Sequence, residues 1–412
     1  MTAVERVVAD AHRREWAQVL SATVRVTRDL DIAEEAVQEA YVKALSTWPQ
    51  DGIPARPGAW LTTVARRTAL NILRRQRTLE TKLPLLLERE GEGVDSGHFG
   101  AVPDDRLRLI FTCCHPALSP EAQVALTLRL ICGLPTRDIA HTFLVAEATM
   151  AARLTRAKRK ISVARIRYAI PAPPDLPQRL DAVLSVIHLM YTSGHTVPSG
   201  SELVSDELCE RAIDLARLLQ DLLPDFAEPA GLLALLLVLH ARRATRVGPE
   251  GELLRLAEQD RSMWDRDLIS EADRLLTSCL IAAPAGRFAL QAAIAALHAQ
   301  APTYSDTDWP QILELYNHLQ RVWLSPVVDM NRAIAVAMVN GAAAGLRELQ
   351  VLEDRGQLNR YHYLYSTKAD LLHQLGRDSE ALDEYQRALA LSHNTAEADF
   401  LQSRIRAVSP TN

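Results

Sequence analysis

The sequence predicts an all-α protein: two small helical domains, the second a helix-turn-helix, followed by a tetratricopeptide-like helical array. Three observations carry this prediction. Almost every segment spaces its apolar residues with the 3.6-residue period of a helix, and almost none alternates at period two. Thr136 to Arg167 is patterned as helix, turn and basic helix. Near the end of the chain an Asn340-Gly341 turn precedes Leu375-Gly376 by 35 residues, close to the period of about 34 of tetratricopeptide helix pairs.

The first patterned element runs from Arg28 to Thr47. Asp29 and Asp31 are cap candidates, and Ile32, Ala36, Val37, Ala40, Tyr41, Ala44 and Leu45 lie on the inward side, with a stop before Trp48-Pro49. Its exposed face is acidic through Glu34, Glu35 and Glu39. Such a face suits a protein partner rather than phosphates, and equally suits a plain solvated helix. Ala59 to Lys82 follows as an amphipathic helix. Trp60, Leu61, Val64, Ala65, Ala69, Ile72 and Leu73 recur at helical spacing, while Arg66, Arg67, Arg74, Arg75 and Arg77 crowd the other faces. Six Lys/Arg against one acid make a cationic stripe that fits a phosphate backbone or a solvated face, and Trp60, on the apolar side, reads as core.

Leu83 to Asp105 breaks every pattern with Pro84, Gly91, Gly93, Gly97, Gly100 and Pro103, and six acids outnumber Arg89 there, so a flexible acidic tether is expected. In the helix-turn-helix, Ile139, Ala140, Phe143 and Leu144 form the apolar side of a short first helix, and Val145 and Ala146 make the connection. Ala148, Met150, Ala151 and Leu154 of the second helix pack inward. Glu147, Thr149, Arg153, Arg156, Lys158, Arg159 and Lys160 remain for a DNA groove. Leu144 stands where the turn glycine is usual. Ala151 to Tyr168 holds seven Lys/Arg and no acid, and a proline-rich break over 171–177 ends the basic half.

The back half, 178–412, reads as stacked helix pairs, best defined by Tyr365, Ala369, Leu372, Ala381, Tyr385 and Ala388 around Gly376, with His393 in place of the expected terminal proline. Asp329 and Arg332, three apart on a helix, are expected to form an intrahelical ion pair. The tract Glu202 to Glu228 holds eight acids and two arginines and suits a basic surface. Tyr191, Ser193, His195 and Ser199 lack the context of a catalytic triad, so no enzymatic site is expected.

Composition bounds the rest. At 412 residues and 48% hydrophobic the chain can bury two or three cores. Its net charge of −5 splits into +6 over 1–168 and −11 over 169–412, a basic front suited to nucleic acid and an acidic back able to cover it. Five cysteines without CxxC spacing argue against a disulfide framework and for a reducing compartment. Cys113-Cys114-His115 is no zinc site, because adjacent helical side chains diverge by about 100° and no second ligand pair follows; buried, inert thiols are expected. There is neither a signal-peptide core nor an apolar run of membrane length, so a cytoplasmic protein with no membrane partner and no cofactor is expected.

The order of acidic helix (DIAEEAVQEAYVKAL), tryptophan-bearing basic helix (AWLTTVARRTALNILRR), acidic tether and helix-turn-helix resembles the two regions of an extracytoplasmic-function sigma factor of bacterial RNA polymerase, over about residues 1–168. DDRLRLIFTCCHPALSPEAQVALTLRL and FLVAEATMAARLTRAKRKI are similar to the group with a long C-terminal extension, which carries the likeness across nearly the whole chain. The resemblance implies domains at 1–82 (region 2), 106–170 (region 4) and 178–412 (extension), joined by the 83–105 linker running toward the RNA exit path. It implies that Asp31, Glu34, Glu35, Gln38 and Glu39 dock on core RNA polymerase, and that Arg66, Arg67, Asn71, Arg74 and Arg75 hold the −10 element of promoter DNA as a melted strand. Glu147, Thr149, Arg153 and Arg156 would then approach bases or adjacent phosphates of the −35 element, and Lys158, Arg159 and Lys160 its backbone. It also implies a regulatory extension, with a small YCII-related protein or another regulator as its partner. A free-standing helix-turn-helix regulator with a tetratricopeptide sensor, or a scaffold with an incidental basic front, would not need the paired helices of residues 28–82.

Overall fold

A computed structural model describes residues 3–82, 105–143, 145–195, 206–248, 252–392 and 395–409. Among them are eighteen α-helices and no strand, only an isolated bridge between Val247 and Leu253. The chain divides into two units, Met1–Val186 and Ile187–Asn412. Apart from Asp105, the expected tether lies outside the described residues.

The first unit begins with α1 (Ala3–Thr27), α2 (Leu30–Asp51) and α3 (Pro57–Lys82), each packed on the other two. Val19 and Leu20 of α1, Ala33, Ala36, Val37 and Ala40 of α2, and Leu61, Ala65 and Ala69 of α3 are buried, as their 3.6-residue spacing requires. Asp29 caps α2, its Oδ1 accepting from the amides of Asp31 (2.8 Å) and Ile32 (2.9 Å). The expected stop before Trp48-Pro49 is wrong, since α2 runs through both to Asp51. Pro49 sits in the last turn, where it deprives one carbonyl, that of Leu45, of a partner. Leu45 is on the outer face, 44% exposed rather than inward as expected, which puts this turn on the solvent side of the bundle. Continuing the helix buries Trp48, whose ring meets Trp60 edge-on at 5.4 Å.

Next come α4 (Asp105–Cys113), α5 (Pro120–Leu130), α6 (Thr136–Thr142) and α7 (Glu147–Val163). The last two are the helix-turn-helix: Ile139 and Ala140 are buried, and the Val145 amide returns to the Ala140 carbonyl at 3.0 Å. Leu144 lies outside the described residues. The inward stripe of α7 is Met150, Leu154, Ala157 and Ile161. Ala148 and Ala151, expected inside, are exposed, because at about 100° per residue neither can share the phase that Met150 and Leu154 set. The α4 and α5 cores enclose Cys113 and Cys114, and burial pushes the Cys114 thiol up to about 12.

Helix α8 (Leu176–His195) crosses the boundary between the units. The second unit continues with α9 (Asp206–Leu222), α10 (Ala227–Ala241), α11 (Arg266–Ala282), α12 (Arg287–Gln300), α13 (Trp309–Val322), α14 (Pro326–Asn340), α15 (Ala342–Asp354), α16 (His362–Gln374), α17 (Asp378–Leu391) and α18 (Thr395–Val408). Extensive packing runs mainly between chain neighbours, as in a solenoid. Helix α10 is the exception, apolar all round and touching α9, α11 and α12. The matching turns at Gly341 (φ 86°) and Gly376 (φ 71°) both use backbone that favours glycine. Tyr365, Ala369, Leu372, Ala381, Tyr385 and Ala388 form one core with Met330, Leu349 and Leu401. The expected Asp329–Arg332 ion pair is not made. Asp329 accepts from Gln320 Nε2 (2.5 Å), while Arg332 donates to Asn317 Oδ1 (2.8 Å) and pairs with Glu348 (3.2 Å), tying α14 to α13 and α15. No helix among the described residues is long and apolar enough to cross a membrane.

Candidate nucleic-acid interface

Helix α3 turns Leu61, Ala65 and Ala69 into the bundle, and this phase fixes what faces out. Arg67, Asn71, Arg74 and Arg75 are exposed at spacings of four, seven and eight residues, a single stripe about 12 Å long. Arg66 is half-buried beside it, its Nε atom lacking a hydrogen-bond partner. The arginines of this stripe and its amide suit a strand that offers phosphates and base edges together.

Helix α7 exposes Glu147 and Thr149 in its first turn and Arg156, Arg159 and Lys160 farther on, with Arg153 half-buried. A helix N-terminus carrying short polar side chains, followed by cations, is the arrangement that enters a major groove and flanks it with phosphate contacts. Lys158 departs from this set: its Nζ lies 2.8 Å from Asp31 Oδ1 and 2.6 Å from Glu34 Oε2, and its side chain is 13% exposed. Burial works against its charge, but Glu34 and Asp31 outweigh that and raise its pKa.

The acidic helix is correspondingly divided. Asp31, Glu35, Gln38 and Glu39 are exposed, whereas Glu34, expected on the outer face, is buried at 6%. The cause is a cationic pocket. Besides Lys158, Glu34 pairs with Arg129 of α5 and accepts from Gln38 Nε2 at 3.2 Å, and Arg129 also donates to the Leu134 carbonyl at 3.0 Å. The sequence therefore brings residues of the expected polymerase-binding set and one of the expected DNA-binding set into one cluster within the first unit.

Further groups that sequence reasoning missed close the same seam. Trp16 Nε1 donates to the Leu130 carbonyl at 3.2 Å, and the Tyr168 hydroxyl lies 3.0 Å from the carbonyls of Ser21 and Asp105. Arg25 pairs with Asp105 at 3.2 Å. Gly133, at φ 73°, passes so close to Trp16 and His12 that a Cβ there would lie 2.9 Å from the His12 ring. Arg129 is the one of these that the sequence signals, as a lone cation inside the apolar run LTLRLI.

Comparison with known proteins accords with these elements. Residues 6–78 match sigma-70 region 2, residues 108–161 match sigma-70 region 4, and residues 179–280 match a family of unknown function, DUF6596. An uncharacterised protein of Rhizobium meliloti is 42% identical over 394 residues, 94% of this chain and 92% of that protein. A probable ECF RNA polymerase sigma factor of Mycobacterium tuberculosis, SigI, is 29% identical over 167 residues, 40% of this chain and 57% of its own length. The three-helix bundle with its arginine stripe is thus region 2, and the helix-turn-helix is region 4. The chain thus carries sigma-70 regions 2 and 4, is similar over them to an extracytoplasmic-function sigma factor, and continues into a long helical extension that contains DUF6596.

Proposed function

We propose that this sigma factor docks on core RNA polymerase through Asp31, Glu35, Gln38, Glu39 and, once freed, Glu34. In this reading Arg66, Arg67, Asn71, Arg74 and Arg75 hold an opened −10 strand, and α7 reads the −35 duplex with Glu147, Thr149, Arg153, Arg156, Arg159 and Lys160. The observation that carries it is the exposed arginine stripe of α3 following an acidic α2 in one three-helix bundle. A stand-alone regulator needs neither helix, whereas a specificity subunit needs both.

The free chain, in this reading, is closed. Lys158 and Arg129 occupy the carboxylates of Asp31 and Glu34, so polymerase must displace region 4 from region 2 before it gains the whole acidic face. The extension, acidic by net charge, sets how readily the front half acts.

The test is reconstituted transcription with bacterial core polymerase on a promoter library. The full chain is expected to start transcription at a particular promoter, and Glu35→Lys with Glu39→Lys, both exposed and without partners inside the region 2–region 4 seam, is expected to lower core binding about tenfold or more. Unchanged holoenzyme assembly by that double variant contradicts the docking assignment, and tight duplex binding by the protein alone supports the stand-alone regulator instead.

A further inference from the structure

We propose that the C-terminal unit holds a binding site for a small amphipathic carboxylate: one anionic group on a flat apolar body. The site is a cavity of about 400 Å³ between α10, α12, α13 and α14, within the range of small-molecule pockets. Every residue that lines it lies in the second unit. The proposal stands whether or not the front half directs a polymerase.

The ligand's charge follows from the one residue in the lining that is charged at neutral pH. Arg242, just after α10, opens into the cavity, and among the described residues no carboxylate lines it. Among the described residues the Arg242 side chain makes no hydrogen bond and no ion pair. Burial, and next the cation of Arg246, push its pKa down to about 10, so it is still charged at neutral pH. An unpaired guanidinium in low-dielectric surroundings is costly and gains most from an anion supplied from outside.

The remaining polar groups are neutral. Burial, reinforced by Arg287, takes His188 down to about 4, and burial with Arg242 and Arg261 does the same to His298. Burial alone raises the Tyr316 phenol to about 12. At pH 7 these groups offer neutral hydrogen bonds, and the buried Nδ1 of His298 has no partner. Among the described residues Arg242 is the one charge in the lining, and the guanidiniums of Arg261 and Arg287 lie over the Trp264 and Trp323 rings of its walls, 4.9 and 5.1 Å from their centroids. This positive field selects an anion and repels amines, and the apolar walls favour one whose charge is carried on an apolar body.

The body of the ligand follows from the walls. Trp264, Trp323 and Tyr316 supply aromatic wall, and Leu235, Val238 and Ile294 add aliphatic wall. The Trp264 indole is held by its hydrogen bond to Thr245 Oγ1 at 2.9 Å, so that wall is already in place before a ligand arrives.

The experiment is calorimetric titration of the full chain with benzoate, phenylacetate, indole-3-acetate and octanoate, each beside its uncharged amide. At least one acid is expected to bind, with its amide weaker by roughly tenfold or more. Arg242→Gln is expected to erase that preference, and Ala295→Leu, which fills the cavity and leaves the guanidinium in place, to abolish binding. Because the Arg242 side chain has no hydrogen bond or ion pair among the described residues, Arg242→Gln should hold or raise the thermal midpoint measured without added acid. Failure of all four acids, equal binding of acid and amide, an unaltered preference in Arg242→Gln or a fall in its midpoint each overturns the proposal.

Discussion

Glu34 is asked to do two things that exclude each other. In the closed chain its carboxylate is filled by Arg129, Lys158 and Gln38, and in the proposed holoenzyme the same carboxylate faces polymerase. Lys158 is equally divided, since a side chain 13% exposed and held at 2.6 Å from Glu34 is not at that moment available to a phosphate. Lys158→Ala is therefore expected to tighten core binding by the free protein. Losing charge-assisted hydrogen bonds at a partly buried site costs about 2 kcal/mol, roughly thirtyfold in the ratio of closed to open chain. Fluorescence anisotropy with labelled core polymerase measures it. If Lys158 served only the DNA backbone, core affinity would not move, and only the salt slope of promoter binding would drop, by about one.

At the level of helices, spacing made most of the architecture legible. The 3.6-residue period marked α2, α3, α7 and the α16–α17 pair, and glycine at 341 and 376 marked the repeated turn. Ala148 and Ala151 were a misjudged helical phase, but two other errors share a cause, which is that a pattern records propensity and not partners. Pro49 reads as a stop until Trp48 is seen to need burial, and Arg332 reads as the mate of Asp329 until Asn317 and Glu348 arrive from neighbouring helices. The arginine stripe was legible because its inner face is alanine and leucine at fixed spacing, whereas the Glu34 pocket joins residues about 95 and 124 apart that no local period connects.

Lys368 is another such tie, in the extension. Only 5% of its side chain is exposed, on α16, between Glu353 of α15 and Glu384 of α17, the latter at 2.9 Å. Lys368→Ala would leave two part-buried carboxylates with the half-exposed Arg387 as their remaining cation, and a loss of about 3 kcal/mol is expected in urea unfolding. Burial opposes the charge of Glu353, but Lys368 and Arg387 outweigh it and hold its pKa below the usual carboxylate range. Glu353 therefore stabilises fully above about pH 4.3 and progressively less as pH falls through its lowered folded value. Lys368, raised by Glu353 and Glu384 against burial, contributes below about pH 10.4 and loses its contribution as pH climbs past its folded value. The gap between parent and variant should be flat from about pH 5 to 9 and shrink on acidification. A gap that widens toward acid contradicts this account.

For the whole molecule, the place to divide the chain is set by α8. Arg179, in its first half, donates to the Phe111 carbonyl at 2.6 Å inside the first unit, while Tyr191, in its second half, receives the Cys209 thiol at 3.7 Å inside the second. A chain ending at Val186 keeps the Arg179 contact, and one ending at Pro177 loses it, leaving a carbonyl of a buried residue without its charged donor at about 1–3 kcal/mol. The shorter truncation would thus confound regulation with damage. Residues 1–186 carry a net charge of +5, and the part removed carries −10. In the proposed reading that acidic mass, tethered at high local concentration, would compete with phosphates for the basic front. Truncation at Val186 is therefore expected to raise affinity for non-promoter duplex by about tenfold at low salt, and the advantage should fade above about 0.3 M, where screening shortens to a few ångströms. Titration of a labelled random duplex at several salt concentrations reads both effects. Equal affinities at low salt, or a difference that persists at high salt, would mean that the extension does not act on the front half through charge.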